Sequence, residues 1–216
     1  MYSTDTEMSK KKLVIFPFNG NGIEALDCID LEEYEFIGFI DDTPHKKSTY
    51  YPLFSRDILQ KYEELYVLAV PGSPSTFRSR REVILSLNVD RFASIKHPNS
   101  SIGRNVTIGH NCLIMAGVVL TSNARIGSHV CILPNSVLHH DVTIGDYTLI
   151  GSNVAIAGGT TVGESCYVGS GSNIMNGISI GNNVLIGLGS NIIKSVVEGS
   201  KMVGNPAKNL NLSSFI

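Results

Sequence analysis

The sequence predicts an α/β unit of the Rossmann-like type over residues 1–97 and a parallel β-helix over residues 98–216. The β-helix is predicted by an aliphatic residue at every sixth position from Ile102 to Ile192, sixteen positions without a break. The α/β unit is predicted by apolar runs that alternate with short amphipathic segments before His97. Strands and helices that alternate in this way form a parallel sheet.

A period of six fits neither an amphipathic helix, with a period of 3.6, nor a half-buried strand, with a period of 2. It is the hexapeptide repeat of a parallel β-helix, so three hexapeptides make one coil of about eighteen residues. The aliphatic anchors fill the interior of this coil. They are Ile102, Ile108, Ile114, Leu120, Ile126, Ile132, Leu138, Ile144, Ile150, Ile156, Val162, Val168, Ile174, Ile180, Ile186 and Ile192.

Within the α/β unit we expect four strands and three helices. Apolar runs such as LVIF at residues 13–16 are typical of buried parallel strands. Ile23, Leu26 and Ile29 are expected to face the core from the first helix, and Ser55 to cap the second. The expected elements are a strand at 13–16, a loop at 17–22, a helix at 23–30, a strand at 35–40, a loop at 43–54, a helix at 56–62, a strand at 65–70, a basic-faced helix at 75–87 and a strand at 89–95.

Ligands of parallel α/β sheets bind at the carboxyl ends of the strands. Three loops end there in the predicted order: a Gly-rich loop after the first strand, an acidic pair after the second, and a Pro-Gly turn after the third. The Gly-rich loop lacks a full dinucleotide fingerprint, so an ordinary turn is the alternative. The candidate ligand residues are Asn19, Gly20, Asn21, Gly22, Asp41, Asp42, Pro71, Gly72 and Ser73.

Composition limits the classes of function. Of 216 residues 43% are hydrophobic and 17% charged, and the formal net charge of −2 predicts no general affinity for nucleic acid or anionic membranes. No apolar run is long enough to span a bilayer, and residues 1–12 are too polar for a signal peptide, so a cytoplasmic location is expected. The four cysteines lack metal-ligand spacing; Cys112 and Cys166 fall at inward positions, Cys28 in the first helix, and Cys131 on a coil face.

The sequence His139-His140-Asp141 carries the clearest chemical signal in the repeat. A histidine side chain titrates near neutrality and can act as a general base, and a neighbouring carboxylate can orient its ring. Eighteen residues further on, one coil along, stand Gly158 and Gly159. A ledge without side chains beside a base could accept a thioester, with a glycine amide donating to the developing oxyanion.

The same column continues to Asn176 and Lys194, a track suited to a long ligand with a polar end. The alternative is that His139 and His140 are ordinary solvated residues of a coil face. Zinc catalysis at a subunit interface would need three ligands that meet. His110 does not align with the histidine pair at an eighteen-residue offset, so no metal is expected.

The chain resembles the bacterial nucleotide-sugar N-acetyltransferases and the sialic acid O-acetyltransferase-like proteins over nearly its whole length. The motif of a histidine with a following acid and the motif Val-Gly-x-Pro-Ala-Lys are the specific ones. The matching segments are Leu13 to Phe16 with Asn19-Gly20-Asn21-Gly22, Phe39-Ile40-Asp41-Asp42, Ile95-Lys96-His97-Pro98, His140-Asp141-Val142-Thr143-Ile144-Gly145, Ala157-Gly158 and Val203-Gly204-Asn205-Pro206-Ala207-Lys208.

The resemblance implies a left-handed β-helix and a homotrimer with acetyl-CoA in the groove between subunits. It implies that His140 is the base, that Asp141 holds it, and that Gly158 contacts the thioester region. The segment 204–208 would lie near the adenine end of CoA, and the α/β unit would bind the nucleotide of the sugar. The cofactor-side residues so implied or aligned in the column are Gly158, Gly159, Asn176, Gly204, Pro206 and Lys208.

The chain departs from this family at several points. The Gly-rich loop opens differently, a second histidine of many relatives is replaced by Leu149, and an asparagine is absent near Leu133. His139 could compensate for the lost contacts. We therefore expect transfer of acetyl from acetyl-CoA to a UDP- or dTDP-linked 4-amino-4,6-dideoxy sugar for surface glycans, with sugar O-acetylation or non-catalytic binding of a sugar nucleotide by a trimer as alternatives.

Overall fold

The computed structural model describes residues 9–210. Residues 1–8, which hold most of the polar N-terminus, and residues 211–216 lie outside the described residues. Two 3₁₀ turns, at Ala25–Cys28 and Phe77–Ser79, accompany the α-helices of the first part. The elements before the β-helix are β1 (Lys11–Phe16), α1 (Gly20–Glu24), β2 (Tyr34–Ile40), β3 (Leu53–Phe54), α2 (Asp57–Lys61), β4 (Tyr66–Ala69) and α3 (Arg80–Leu85).

The first part is built on a four-stranded sheet in the order β3-β2-β1-β4. Every pairing in it is parallel. The last four residues of β1 are fully buried, because helices and the β-helix cover both faces of the sheet. The predicted Rossmann-like unit is thus confirmed as a fold class.

The first helix begins earlier than predicted. The side chain of Asn19 accepts a hydrogen bond from the amide of Gly22 at 2.8 Å and caps α1. The α-helix passes at Ala25 into a 3₁₀ turn with three residues per turn, so Gly22, Ala25 and Cys28 are buried while Ile23 is exposed. The inward position predicted for Ile23 was therefore wrong.

Three other predicted boundaries differ from the structure. Ser55 does not cap α2: its hydroxyl lies 3.2 Å from a carboxylate oxygen of Asp57. β3 was missed because it is only two residues long and follows a proline-containing loop; it gains its partner from β2. The strand predicted at 89–95 is replaced by one bridge between Val67 and Phe92, and Ile95 begins the first strand of the β-helix.

The second part is a parallel β-helix of two-residue strands, closed by a hairpin. Its strands are β5 (Ile95–Lys96), β6 (Ser101–Ile102), β7 (Thr107–Ile108), β8 (Leu113–Ile114), β9 (Val119–Leu120), β10 (Arg125–Ile126), β11 (Cys131–Ile132), β12 (Val137–Leu138), β13 (Thr143–Ile144), β14 (Leu149–Ile150), β15 (Ala155–Ile156), β16 (Thr161–Val162), β17 (Tyr167–Val168), β18 (Asn173–Ile174), β19 (Ser179–Ile180), β20 (Leu185–Ile186), β21 (Asn191–Ile192), β22 (Lys201–Gly204) and β23 (Ala207–Asn209).

Every predicted anchor is the second residue of one of the strands β6 to β21. The strands form three ladders, and residues eighteen apart pair in register, as Leu138 does with Ile156. The anchors from Ile114 onward fill one buried core along the axis. Asn, Asp, Ser, Tyr, His or Gly takes a left-handed conformation at the corners, as Asn123 and Asp141 do. The predicted parallel β-helix is confirmed.

One of the three β-helix faces carries the α/β unit. Outward side chains of this face, among them Cys131, Leu149 and Tyr167, form one hydrophobic cluster with Leu13 and Phe39 of the sheet. All four cysteines are buried and free. Cys131 is therefore an interface residue, and Leu149 packs in the core where relatives are expected to have histidine.

Two buried polar side chains join the parts at the end of β4. Asn111 hydrogen-bonds both the amide and the carbonyl of Ala69. The guanidinium of Arg80 donates to the carbonyls of Pro71 and His129, and its Nε has no acceptor among residues 9–210. Burial lowers the pKa of Arg80. Among residues 9–210 no helix is long and apolar enough to cross a membrane.

Candidate active site

His140 and Asp141 lie at the corner between β12 and β13. The backbone of Asp141 is left-handed, with φ of 61°, and its amide donates to the carbonyl of Ser122 one coil earlier. This conformation turns the carboxylate back toward the preceding residue. Nδ1–H of His140 donates to Oδ2 of Asp141 at 2.8 Å, so Nε2 is left as the free acceptor of the ring.

Asp141 is held as an anion by its neighbours. The hydrogen bond to His140, and after it the one from Asn123, lowers the pKa of the Asp141 carboxyl. Both side chains of the pair remain accessible, with 67% of His140 and 55% of Asp141 exposed. The pair is therefore ordered by its hydrogen bonds rather than by enclosure.

Gly158 lies directly against the imidazole of His140. A Cβ built on Gly158 would stand 2.5 Å from Nε2, closer than any real contact, so only glycine leaves the ring in place. Gly159 donates its amide to the carbonyl of His140 at 2.9 Å. The predicted ledge one coil beyond His140 is present.

The amide of Gly158 has no acceptor among the described residues. At the matching position of another corner, the amides of Ser128 and Glu164 donate to side chains one coil further on, which belong to Asp146 and Asn182. Asn176 stands one coil beyond Gly158 without making that bond. A free N–H thus lies beside the ring of His140.

The track beyond the ledge ends in a cleft of ≈ 450 Å³ between the last coil and the closing hairpin. Lys194, Pro206 and Lys208 line this cleft together, with the apolar side chain of Ile193. Gly204 lies in the hairpin opposite Ala207 rather than in the cleft lining. Asn176 is exposed between the ledge and the cleft.

The two acidic residues predicted near the nucleotide are already paired. The side chain of Asp41 is only 4% exposed, and it accepts hydrogen bonds from the amide of Phe18 at 3.0 Å and from Lys46 at 2.7 Å. Burial alone would raise the pKa of Asp41, but the bonds from Lys46 and Thr43 lower it. Asp42 forms an ion pair with Arg56. Asp41 thus fastens the Gly-rich loop.

The Gly-rich loop itself is closely packed. A Cβ on Gly22 would stand 2.6 Å from the carbonyl oxygen of Pro17, so glycine is required there for packing. Gly20 and Asn21 follow the capping residue Asn19 at the start of α1.

The third loop meets the β-helix. The carbonyl of Pro71 accepts from buried Arg80, and a Cβ on Gly72 would touch Leu149. The hydroxyl of Ser73 lies 2.9 Å from those of Ser75 and Thr76. Pro71 and Gly72 therefore lie at the contact between the α/β unit and the β-helix. The hydroxyl of Ser73 bonds to neighbouring hydroxyls of its own loop, which a ligand can replace.

Sequence reasoning missed Lys46, Asn111 and Asn123. Asn123 could have been found, because it stands eighteen residues before Asp141 and so aligns with it in the coil register. Lys46 lies in a loop with no periodic pattern. Asn111 resembles every other corner asparagine in the sequence, and only the docked α/β unit distinguishes it.

A second cleft, of ≈ 490 Å³, lies at a different corner and holds His110 and His129. The ring of His129 stacks on that of Tyr147, with centroids 4.5 Å apart, and is 4% exposed. Burial, and then the charges of His110 and Arg80, lower the pKa of His129 to about 4.

Among residues 9–210 no group of three His, Cys, Asp or Glu could hold a metal ion.

Two family models match the β-helix. The bacterial transferase hexapeptide (six repeats) matches residues 123–158, and the hexapeptide repeat of succinyl-transferase matches residues 99–133 and 141–176. No curated protein matches the chain. The repeat predicted from the period of six is thus the repeat of these transferase families.

Solved structures match both parts of the chain. The acetyltransferase domain of PglB from Neisseria gonorrhoeae FA1090, in complex with acetyl coenzyme A, is 22% identical over 94% of this chain and 100% of that one, with a TM-score of 0.82. WeeI from Acinetobacter baumannii AYE is 25% identical over 94% and 100%, with a TM-score of 0.79.

A third match is a variant of perosamine N-acetyltransferase from Caulobacter crescentus in which asparagine replaces a histidine, with CoA and GDP-perosamine bound. It is 20% identical over 94% of this chain and 98% of that one, with a TM-score of 0.82. These likenesses show that the chain has the same two-part fold.

Proposed function

We propose that this chain, a hexapeptide-repeat protein with the two-part fold of the bacterial sugar N-acetyltransferases, is an acetyl-CoA-dependent N-acetyltransferase. Its acceptor would be a nucleotide-linked 4-amino-4,6-dideoxy sugar, used in the cytoplasm for surface glycans. One observation carries the proposal: Nε2 of His140, freed by the bond from Nδ1–H to Asp141, stands over the glycine at 158 beside an unpaired amide. A base and an oxyanion donor therefore share one open ledge.

The mechanism assigns one task to each group of this ledge. The acetyl thioester supplies the activated acyl group. As the amine nitrogen bonds to the acetyl carbon, Nε2 of His140 takes the proton of the amine, and Asp141 stabilises the resulting imidazolium. The amide of Gly158 donates to the carbonyl oxygen as it gains charge. The imidazolium then returns its proton to the departing thiolate, so the reaction needs no covalent intermediate with the protein.

The CoA chain would follow the column beyond the ledge. Gly159 leaves space beside Gly158, Asn176 can hydrogen-bond an amide of the chain, and Lys194 and Lys208 bring two positive charges to the cleft at the hairpin. Phosphate groups are suited to such a pair of ammonium groups. Gly204 and Pro206 would shape the hairpin around the far end of the ligand.

The nucleotide would lie at the carboxyl edge of the sheet. The Gly-rich loop would face the nucleotide with Asn19, Gly20, Asn21 and Gly22. The loop after the third predicted strand would offer it the hydroxyl of Ser73. Because Asp41 and Asp42 are engaged by Lys46 and Arg56, we assign them to holding the loop rather than to direct contact. Perosamine N-acetyltransferase, whose fold this chain shares, binds a GDP-linked sugar together with CoA.

A homotrimer would complete the site. His140 and Asp141 are both more than half exposed in the single chain, and catalysis of acyl transfer benefits from a site that excludes water. A neighbouring subunit packed along this corner would supply the second wall of the groove.

Thiol release from acetyl-CoA tests the reaction, with GDP-, UDP- and dTDP-linked 4-amino sugars and free sialic acid as acceptors. We expect release with one amino sugar and loss of at least a hundredfold of the rate in His140→Asn. His110→Asn, at a distant corner, is the matched control and should keep the wild-type rate.

The alternatives give different results in the same assay. Release only with sialic acid would assign the chain to sugar O-acetylation. A sugar nucleotide that binds by calorimetry without any thiol release would indicate a non-catalytic binder.

A further inference from the structure

Three corner residues in successive coils form a line of side-chain hydrogen bonds that ends at His140. Nδ2 of Asn105 donates to Oδ1 of Asn123 at 3.1 Å, and Nδ2 of Asn123 donates to Oδ1 of Asp141 at 3.0 Å. Oδ2 of Asp141 accepts from Nδ1 of His140 at 2.8 Å. The line thus runs along the axis of the β-helix into the proposed base.

The coil register creates this alignment. Asn105, Asn123 and Asp141 are eighteen residues apart, and all three have left-handed backbones, with φ between 58° and 63°. The amides of Asn123 and Asp141 each donate to a carbonyl one coil earlier. Glycine would satisfy this backbone as well as asparagine does, so the conformation alone does not require the amide side chains.

The line has a fixed polarity. The carboxylate of Asp141 can only accept hydrogen bonds, so Nδ2 of Asn123 must face it and Oδ1 of Asn123 is left to accept from Asn105. With Oδ1 of Asp141 occupied in this way, Oδ2 is directed at His140. The ring then carries its proton on Nδ1 and presents Nε2 to Gly158.

We infer that Asn123 is a positioning residue for the reaction, which fixes the carboxylate of Asp141 and through it the tautomer and orientation of His140. The inference rests on the proposed function for its kinetic consequence only. The tautomer of His140 is a property of the protein alone.

The matched variants are Asn123→Gly and Asn153→Gly. Asn153 has the same left-handed backbone, with φ of 55°, is exposed, and makes no side-chain hydrogen bond among the described residues. Both changes therefore release the same backbone restraint, and only the first removes the bond to Asp141.

The first readout is the nitrogen-15 spectrum of the histidine rings at high pH. We expect His140 in the wild type and in Asn153→Gly to carry its proton on Nδ1. In Asn123→Gly the Nε2–H form should grow at its expense, because Asp141 is free to rotate away. Identical His140 signals in both variants would overturn the inference, whatever rate of acetyl transfer the variants show.

The second readout is kinetic. Asn123→Gly should lower kcat about tenfold with little change in KM, because a charge-assisted bond is lost from the reacting pair and not from the substrate. Asn123→Asp should move the acidic limb of the pH profile to higher pH, since a second carboxylate joins Asp141 near His140 and Arg125. A wild-type kcat in Asn123→Gly together with an unchanged pH profile in Asn123→Asp would contradict the assigned role.

The two proposals can fail separately. An absence of thiol release with every acceptor would overturn the proposed function and leave the spectroscopic test of Asn123 intact. Full activity of Asn123→Gly with unchanged ring signals would overturn the role of Asn123 and leave the proposed function standing.

Discussion

Asn111 is bonded to Ala69 as a neighbouring strand would be: its Oδ1 accepts from the amide of Ala69 at 2.7 Å, and its Nδ2 donates to the carbonyl at 2.9 Å. β4 is an edge strand of the sheet. One corner side chain of the β-helix therefore satisfies both backbone groups of buried Ala69 on the outer side of this edge strand.

Asn111→Ala should lower the free energy of unfolding by about 2–4 kcal/mol, because it leaves both backbone groups of buried Ala69 without partners. Asn153→Ala is the control, since its φ of 55° matches the 54° of Asn111. Denaturant unfolding of both variants separates the lost bonds from the shared backbone cost. Equal losses would show that the bonds to Ala69 contribute nothing.

Gly158→Ala should abolish acetyl transfer with little effect on stability. The new Cβ would displace the ring of His140 by steric overlap, while its backbone conformation is one that alanine adopts. Gly189→Ala should behave in the opposite way, since Gly189 has φ of 63° and open space around it. That change should cost about 1 kcal/mol of stability and leave transfer unaltered. Thermal unfolding and thiol release measured on both variants test this crossed pattern.

The folded protein should lose stability in mild acid because of His129. Its pKa is about 4 in the folded chain, against 6.5 for the ordinary side chain, so between these values the unfolded chain binds a proton that the folded chain does not. Stability should therefore fall as the pH drops from 6.5 to 4, by about 3 kcal/mol at most from this group. His129→Gln should lose less stability over that interval. Parallel unfolding curves at pH 7 and pH 4.5 supply the comparison.

Lys46→Met should raise the pKa of Asp41. Burial raises the pKa of this carboxyl, and the variant lacks the hydrogen bond from Lys46 that opposes the effect of burial. A carboxyl whose pKa is lowered by folding stabilises the protein above the pKa of the unfolded chain, and this contribution is lost as the pH falls. The variant should therefore be less stable than the wild type at pH 7. Carbon-13 titration of the Asp41 carboxyl measures the shift, with the exposed Lys47→Met as control.

The β-helix could be predicted almost completely from the sequence. Each anchor had one possible environment, since its side chain points into a core that only aliphatic residues fill, and backbone pairing fixes the register. The ledge of Gly158 beside His140 followed from the same arithmetic. Positions that depend on one repeating geometry can thus be predicted from the sequence alone.

The α/β unit was less predictable because its short elements depend on tertiary contacts. β3 has two residues and exists only because β2 offers it a partner. The helix α1 begins where the side chain of Asn19 happens to find the amide of Gly22. The pairing of Asp41 with Lys46 spans only five residues, but it lies in an irregular loop where no periodic pattern indicates it.

The stacking of two-residue strands at an eighteen-residue offset also makes the β-helix a ruler. Two coils separate Gly158 from Lys194, so the ledge and the start of the hairpin cleft are about 10 Å apart along the axis. Backbone hydrogen bonds set this distance, and side-chain substitutions leave it unchanged. A ligand held at both ends must therefore match a whole number of coils, and only the gain or loss of a complete coil alters the length that fits.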